Sequence, residues 1–306
     1  MAPSQKILVI GAGELGYQVL RSLTEHPALQ GLVSVLLRPA SLAPDSPKQS
    51  QIKNLQQLGI HIVPGDIVQD EEQTLATIFS SYDTIISCTG FVSGRGTQVK
   101  LTRAVLSAGI KRYIPWQFGV DYDAIGRGSA QDVFDEQLDV RDLLRSQTST
   151  RWAIISTGMF TSFLFEPSFG VVNIKDGTIC ALGSWENRVT ITTPEDIGRI
   201  TAEVVLGEES DALFSDRVIF VGGDTISYAR LAEIVEEVTG KPFRRTVLTV
   251  EDAQRALAKD PDNGLLKYQI VFGQGRGVAW DLSETWNQQR GIRTTTAEEW
   301  ARENVV

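Results

Sequence analysis

The chain has 306 residues, 42% hydrophobic and 22% charged, with a formal net charge of −9, a globular composition large enough for two lobes. The acidic balance argues against nucleic acid and against an anionic membrane as partners. Two cysteines (Cys88, Cys180) make no disulfide framework, and two histidines (His26, His61) exclude a histidine-rich metal centre and argue against a Ser-His-Asp triad. No apolar run reaches spanning length and no secretory pattern precedes Ile7, so the expected location is cytoplasmic and no metal is expected.

Residues 7–10 predict a strand that runs into Gly11-x-Gly13-x-x-Gly16 and then a helix over 15–24. Strand, glycine turn and helix in that order are what a dinucleotide site requires. Gly11 allows the tight turn, Gly13 lets backbone approach a pyrophosphate, and Gly16 lets helix pack on strand. Glu14 and Leu15 open the helix whose first amides would meet the anion. The next strand, 33–37, ends in Arg38, where an NAD-binding chain carries Asp or Glu. Arginine there suits a 2′-phosphate, Ser41 and Lys48 add a hydroxyl and a second cation, and the expected cofactor is NADP(H). The Pro- and Ser-rich stretch 39–50 reads as a loop over the adenine side.

Further along, helices over 49–58, 70–79, 97–108 and 131–146 alternate with strands over 60–63, 84–87, 112–115 and 152–156. His61 reads as a packed strand residue and Cys88 as a small packed one. The alternation predicts an α/β, doubly wound parallel sheet. Ligands on such sheets bind beyond the carboxyl ends of the strands. That makes Asp66, then Thr89, Gly90 and Phe91, then Trp116, Gln117 and Phe118, and finally Thr157, Gly158, Met159 and Phe160 the cofactor-side candidates. Phe160, Phe163 and Phe165 are candidate walls for an aromatic substrate.

After residue 188 the pattern changes. A strand over 189–192 leads to Thr193 as an N-cap and Pro194 in the first turn of a helix through Leu206. A strand over 218–221 follows, and Ser227 caps a helix ending before Gly240. The stretches 159–184 and 243–306 show no parallel alternation. The expected division is residues 1–158 plus about 189–240 as an NADP(H)-binding Rossmann domain, with about 159–188 plus 241–306 as a smaller substrate lobe over the nicotinamide end. Gly273-Gln-Gly-Arg-Gly277 follows no strand–helix unit and reads as a loop of that lobe. Trp280, Trp286 and Trp300 read as its packing.

Helix 131–145 presents Val133, Phe134, Leu138, Val140, Leu143 and Leu144 as one apolar stripe, with Gln137 inside it and Arg141 beside it. A polar group turned inward needs a partner. Two readings, which do not exclude each other, are that these side chains bond loop carbonyls and that Gln137 faces cofactor and substrate.

Gly11–Gly16, Arg38, Gly65-Asp66, Arg112-Tyr-Ile-Pro-Trp-Gln-Phe-Gly119, helix 134–145 and Thr193-x-x-Asp196-Ile-Gly198 together resemble the NmrA-like, isoflavone-reductase-like group of atypical short-chain dehydrogenases, with the fungal aromatic-reductase branch nearest. The resemblance implies NADPH bound by a Rossmann domain and reduction of aromatic or phenolic secondary metabolites. It places the 2′-phosphate at Arg38 and Lys48, and the nicotinamide beside Phe118, Thr157, Gly158, Met159 and Phe160. The chain departs from the family where plant reductases carry Pro-Ser-Glu-Phe-Gly, here Pro115-Trp-Gln-Phe-Gly119, and at the lysine credited with catalysis, here Gln137.

A glutamine has no usable proton at neutral pH, and no Tyr-x-x-x-Lys replaces it, since Tyr113 and Tyr122 are followed by Gln117 and Gly126. Tyr122, on the loop after Gly119, is one candidate acid, its alternative being a solvent-exposed loop tyrosine. Water held by Gln137 is another source of the proton, and a conjugated or iminium acceptor needing little acid is the third option. The expected function is an NADPH-dependent reductase of an aromatic or conjugated small molecule, with Gln137 and Tyr122 as catalytic candidates. The alternatives are a cofactor-dependent isomerase or cyclase without net redox, and an NmrA-type dinucleotide sensor without catalysis. The expected partner is the small substrate, and a homodimer is open to the chain.

Overall fold

A computed structural model describes residues 5–305, the side chain of Val92 excepted. The described chain divides into two compact units: residues up to Gln117 with Asp139–Ile155 and Ile197–Ile219, and Phe118–Leu138 with Ser156–Asp196 and the chain from Phe220 onward. Among the described residues no helix is long and apolar enough to cross a membrane.

The first unit is built on β1 (Gln5–Ile10), α1 (Glu14–Glu25), β2 (Gly31–Leu37), α2 (Pro39–Leu42), α3 (Gln49–Gln57), β3 (His61–Pro64), α4 (Glu72–Phe79), β4 (Thr84–Ser87), α5 (Thr97–Ser107) and β5 (Arg112–Ile114). After α6 (Tyr122–Ile125) in the second unit, the chain re-enters along α7 (Val133–Arg145) and β6 (Arg151–Ser156). The seven-stranded sheet runs β11-β6-β5-β4-β1-β2-β3, where β11 is Arg217–Phe220. The pairs from β3 through β6 are parallel, as in β1 with β4 at Ile7–Thr84 to Ile10–Ser87. Strand order therefore reverses between β1 and β4, the switch point where doubly wound sheets hold ligands.

Alternating strand residues feed two layers. Leu8, Ile10, Ile85 and Ile154 share a core with Leu75 and Phe79 of α4, Leu101 and Val105 of α5, and Val140 and Leu144 of α7. Each fully buried side chain of this size contributes roughly 1.5–3 kcal/mol. Elsewhere in this unit α1 meets α9 (Pro194–Leu206): a Cβ on Gly198 would lie 2.6 Å from the Gln18 carbonyl oxygen, and His26 Nε2 lies 3.0 Å from Glu203 Oε2. His61 is exposed, contrary to expectation, because β3 is the edge strand. The stretch 39–50 contains the single helical turn α2 as well as loop.

The second unit holds two three-stranded sheets. With β7 (Met159–Phe160), α8 (Thr161–Leu164), β8 (Val172–Asn173), β9 (Thr178–Leu182) and β10 (Arg188–Thr192) given, the chain continues after α9, α10 (Ser210–Leu213) and β11 to β12 (Asp224–Ser227), α11 (Tyr228–Thr239), β13 (Arg244–Leu248), α12 (Val250–Leu257), α13 (Gly264–Gln274), α14 (Trp286–Gln289) and α15 (Ala297–Asn304). Strand β10 pairs antiparallel with β12 and parallel with β7; β9 pairs parallel with β13 and antiparallel with β8.

This differs from the expected division. Residues 118–138, 156–158, 189–196 and 220–240 cluster with the second unit, where β10 and β12 pair with each other. Beyond residue 243 the chain adds one strand, β13, which pairs parallel with β9. The helix caps read from sequence are present: Asp196 N–H donates to Thr193 Oγ1 at 3.1 Å, and Arg230 N–H to Ser227 Oγ at 3.1 Å. Trp280 packs edge-on to Phe220 and Trp300 on Phe165, with centroids 5.1 and 4.6 Å apart.

Candidate functional site

In the first unit the turn after β1 is shaped by three glycines with different duties. Gly11 has φ +91°, and a Cβ there would lie 2.7 Å from Thr89 Oγ1; a Cβ on Gly16 would lie 2.3 Å from the Gly11 carbonyl oxygen. Only glycine tolerates either place. Gly13 is the opposite case: no atom stands within 4 Å of its would-be Cβ. It is also the N-cap of the 12-residue α1 and, as a glycine, supplies no side-chain acceptor to the first-turn amides. Thr89 Oγ1 donates to the Ile10 carbonyl at 3.0 Å, Gln98 Nε2 to the Thr89 carbonyl at 2.8 Å, and Gln51 Nε2 to the Ala12 carbonyl at 2.6 Å. Side chains from α3, β4's end and α5 thus hold the crevice walls at the switch point.

Arg38 is exposed at the end of β2 and forms the N-cap of α2, with Pro39 at the first helical position. The Ser41 N–H donates to the Arg38 carbonyl at 2.8 Å, placing Ser41 one turn away. Lys48, also exposed, is the N-cap of α3. Among the described residues neither the Arg38 guanidinium nor the Lys48 ammonium has a hydrogen-bond or ion-pair partner. Two uncommitted cations in the segment after β2, together with the glycine turn before α1, fit a 2′-phosphorylated dinucleotide, whose charges would otherwise meet an acidic chain.

Asp66 serves the backbone. Its Oδ1 accepts from Val68 N–H and Gln69 N–H at 2.9 and 3.2 Å, and its own N–H donates to Asp70 Oδ2 at 2.7 Å. At the ends of β4 and β5, Gly90 and Trp116 meet: a Cβ on Gly90 would lie 3.1 Å from the indole Cζ2. Thr89, Gly90, Phe91 and Trp116 all keep partial exposure, whereas Gln117 is fully buried, its Oε1 accepting from Arg141 Nε at 2.8 Å. Through Nε, Arg141 bonds a side-chain amide.

In the second unit, the Gly119 carbonyl accepts from both Thr157 N–H and Gly158 N–H at 2.9 and 3.0 Å. Thr192 Oγ1 donates to the Thr157 carbonyl at 2.6 Å. Gly158 has φ +75°, and a Cβ there would sit 2.0 Å from the Thr190 carbonyl oxygen. Segments 118–119 and 157–160 are thereby tied into one knot, with Phe118 and Met159 buried and Phe160 half-buried. Thr157 Oγ1 is buried and makes no hydrogen bond among the described residues.

The catalytic candidates are less accessible than expected. Tyr122 is not an exposed loop residue: it opens α6, is 3% exposed, and lies edge-on to Phe134 with centroids 5.0 Å apart. Its hydroxyl is tucked against Gly119, 2.7 Å from that residue's would-be Cβ. Gln137 does turn inward, and has no exposed surface. Phe163 stacks against Phe169 and Phe165 against Trp300, each with ring centroids 4.6 Å apart. Residue Gly275 ends α13 as its C-cap, which accounts for part of the glycine-rich run 273–277.

Sequence reasoning missed Gln51 and Gln98. Gln98 was findable, since it shares the apolar face of α5 with Leu101 and Val105, all buried. Gln51 gave no such signal.

The parallel sheet, its strand order and the glycine turn define a Rossmann-type α/β protein of the dinucleotide-binding class. Residues 3–300 match the NmrA-like family model. The chain is 47% identical over 307 residues, covering 99% of both chains, to an NmrA-like family domain-containing oxidoreductase of Gibberella moniliformis. It is 26% identical over 270 residues (85% of this chain, 83% of the other) to phenylcoumaran benzylic ether reductase TP7 of Nicotiana tabacum. The fold resembles that of leucoanthocyanidin reductase from Vitis vinifera, solved as a binary complex with NADPH, with TM-score 0.79 and 22% identity over 97% of this chain and 98% of the other. The protein belongs to the NmrA-like family.

Proposed function

We propose that this protein is an NADPH-dependent reductase of an aromatic or conjugated small molecule. The observation that carries the reading is the open space at Gly13, the glycine N-cap of α1, with the unpartnered Arg38 on the next strand end. The names of its relatives, an oxidoreductase at 47% identity and a benzylic ether reductase at 26%, support the same reaction class.

In this reading Gly11, Gly13, Glu14, Leu15 and Gly16 receive the pyrophosphate through backbone amides, Arg38, Ser41 and Lys48 take the 2′-phosphate, and Asp66 shapes the adenine-side turn. Thr89, Gly90, Phe91, Trp116 and Gln117 line the crevice, while Phe118, Thr157, Gly158, Met159 and Phe160 are the nicotinamide-side candidates. NADPH, when bound, supplies a hydride equivalent. What remains for the chain is to orient the acceptor, exclude water and manage a proton.

Gln137 is fully buried and carries an amide, and Tyr122 is 3% exposed with its hydroxyl packed close to Gly119. Neither meets the requirement for a poised general acid. That favours an acceptor whose reduced form is stabilised by its own conjugation, with electrostatic help from fixed donors. Gln137 then keeps a positioning role within α7. Purified protein would be mixed with NADPH and a panel of conjugated carbonyl, iminium and quinonoid compounds, and nicotinamide absorbance followed. Tight NADPH binding without oxidation across the panel would sink the reductase reading. Product formed with cofactor unconsumed would instead establish the non-redox isomerase reading, which the exchange of the family lysine for a buried Gln137 keeps in play.

A further inference from the structure

The second unit contains three tyrosines, Tyr122, Tyr228 and Tyr268. Tyr122 and Tyr228 are 3% and 1% exposed. Tyr268, on α13, is half-buried, and its hydroxyl neither joins the sealed polar atoms nor finds a hydrogen-bond partner among the described residues. It is a phenol with a held ring and an open end.

The ring is held from several sides. Phe134 and Phe163 meet it edge-on, with centroids at 5.6 and 6.3 Å and interplanar angles of 73° and 70°. The residues on either side of it in sequence are anchored: Lys267 Nζ lies 3.3 Å from Asp132 Oδ2, and Gln269 Nε2 donates to the Phe169 carbonyl at 2.6 Å. At the start of the helix, Gln131 Nε2 donates to the Gly264 carbonyl at 3.1 Å, and Asn263 caps Leu266 N–H at 3.0 Å. So many contacts on one short helix cost side-chain entropy, and they leave the one hydroxyl with its position decided in advance. Preorganised donors of this kind bind a ligand oxygen without further ordering cost. Burial of the ring pushes the phenol well above its ordinary value, so it stays protonated, and a donor, throughout the neutral range.

We propose that Tyr268 is the hydrogen-bond donor by which the second unit takes an oxygen of an aromatic substrate, with the Phe134–Tyr268–Phe163 rings as the apolar surface beside it. The inference rests on the reductase reading above and names the residue that would orient the acceptor. It assigns no bond-breaking step to Tyr268.

The test compares wild type, Tyr268→Phe and Tyr122→Phe. Acetophenone and benzoquinone serve as probes, with saturation-transfer NMR titrations run with and without NADP⁺, and NADP⁺ binding is followed separately by calorimetry. Phe preserves the ring contacts, so thermal midpoint and NADP⁺ affinity stay at wild-type values in Y268F. Probe affinity falls about five- to tenfold, the effect of losing one neutral hydrogen bond. The Y122F variant binds the probes as wild type does. Equal probe binding by Y268F and wild type overturns the proposal, and so does wild type that binds neither probe. Absence of NADP⁺ heat in wild type removes the reductase reading; a probe loss confined to Y268F would still uphold the tyrosine's role as a ligand donor.

Discussion

Inside the first unit, the Arg141 guanidinium Nε–H donates to the side-chain Oε1 of Gln117 at 2.8 Å, and both side chains are fully buried. A guanidinium has only donors, so the amide of Gln117 must turn its oxygen toward it. The orientation of Gln117 is thereby decided by a residue 24 positions away on α7. Replacing Arg141 by Met leaves that oxygen in a buried place without this donor, and should lower stability by about 2–3 kcal/mol. Urea midpoints would measure it; Arg141→Lys should recover part of the loss, and an unchanged midpoint in R141M would contradict the assignment.

Gly13 and Gly16 should separate binding from folding. A methyl group on Gly13 meets nothing within 4 Å, whereas on Gly16 it meets the Gly11 carbonyl oxygen at 2.3 Å. Gly13→Val should keep the thermal midpoint and weaken NADPH binding at least about tenfold, since the side chain fills the place where backbone and pyrophosphate meet. Gly16→Ala should lose stability first. Calorimetry and melting curves on the same two proteins decide the matter.

Arg38 should govern discrimination between phosphorylated and unphosphorylated cofactor. Charge-assisted contacts of arginine with phosphate are worth about 1.5–3 kcal/mol. Arg38→Ser is therefore expected to weaken NADPH by about 10- to 100-fold while leaving NADH nearly unchanged. Equal losses for the two cofactors would mean that Arg38 does not meet the 2′-phosphate.

Tyr122 should prove to be a packing residue. Its ring is edge-on to Phe134 and its hydroxyl sits against Gly119. Tyr122→Phe is expected to change stability by about 1 kcal/mol and to leave kcat within a factor of two or so on any substrate that wild type reduces. A large fall in kcat with KM unaltered would restore the acid role.

Asp83 ties β1 to the start of β5. Its carboxylate accepts from Lys6 N–H at 3.0 Å and from Lys111 Nζ at 2.6 Å, and the Lys111 ammonium holds its carboxyl below the ordinary value of 3.8. The unfolded chain then binds a proton more readily than the folded one, so the contribution is complete above pH 3.8 and lost as pH falls through the lower folded value. The pair is partly exposed, so the contribution is about 1 kcal/mol or less. Asp83→Asn should be slightly less stable near neutrality and show a shallower loss below pH 4, as followed by denaturation across pH.

The elements of the first half were legible because their signals are local. Alternating apolar strands and 3.6-residue stripes place β1, β4, α1 and α5 within a residue or two of where they stand, and Thr193 and Ser227 cap as their side chains dictate. The glycine turn and Arg38 were legible for the same reason: their chemistry lies in neighbouring residues. What sequence left undecided needed distant partners. The pairing of β10 with β12 and of β9 with β13 joins segments tens of residues apart, and short strands carry no label naming their neighbours. Burial of Tyr122 depends on Phe134, the exposure of His61 on β3 lying at a sheet edge, and the selection of Tyr268 on anchors at Asp132 and Phe169. The sequence by itself determined the class of turn and the cation that ends the second strand. Only the tertiary structure decided which polar side chains stay open and which are sealed, because exposure is a property of what comes to lie alongside a residue, not of the residue.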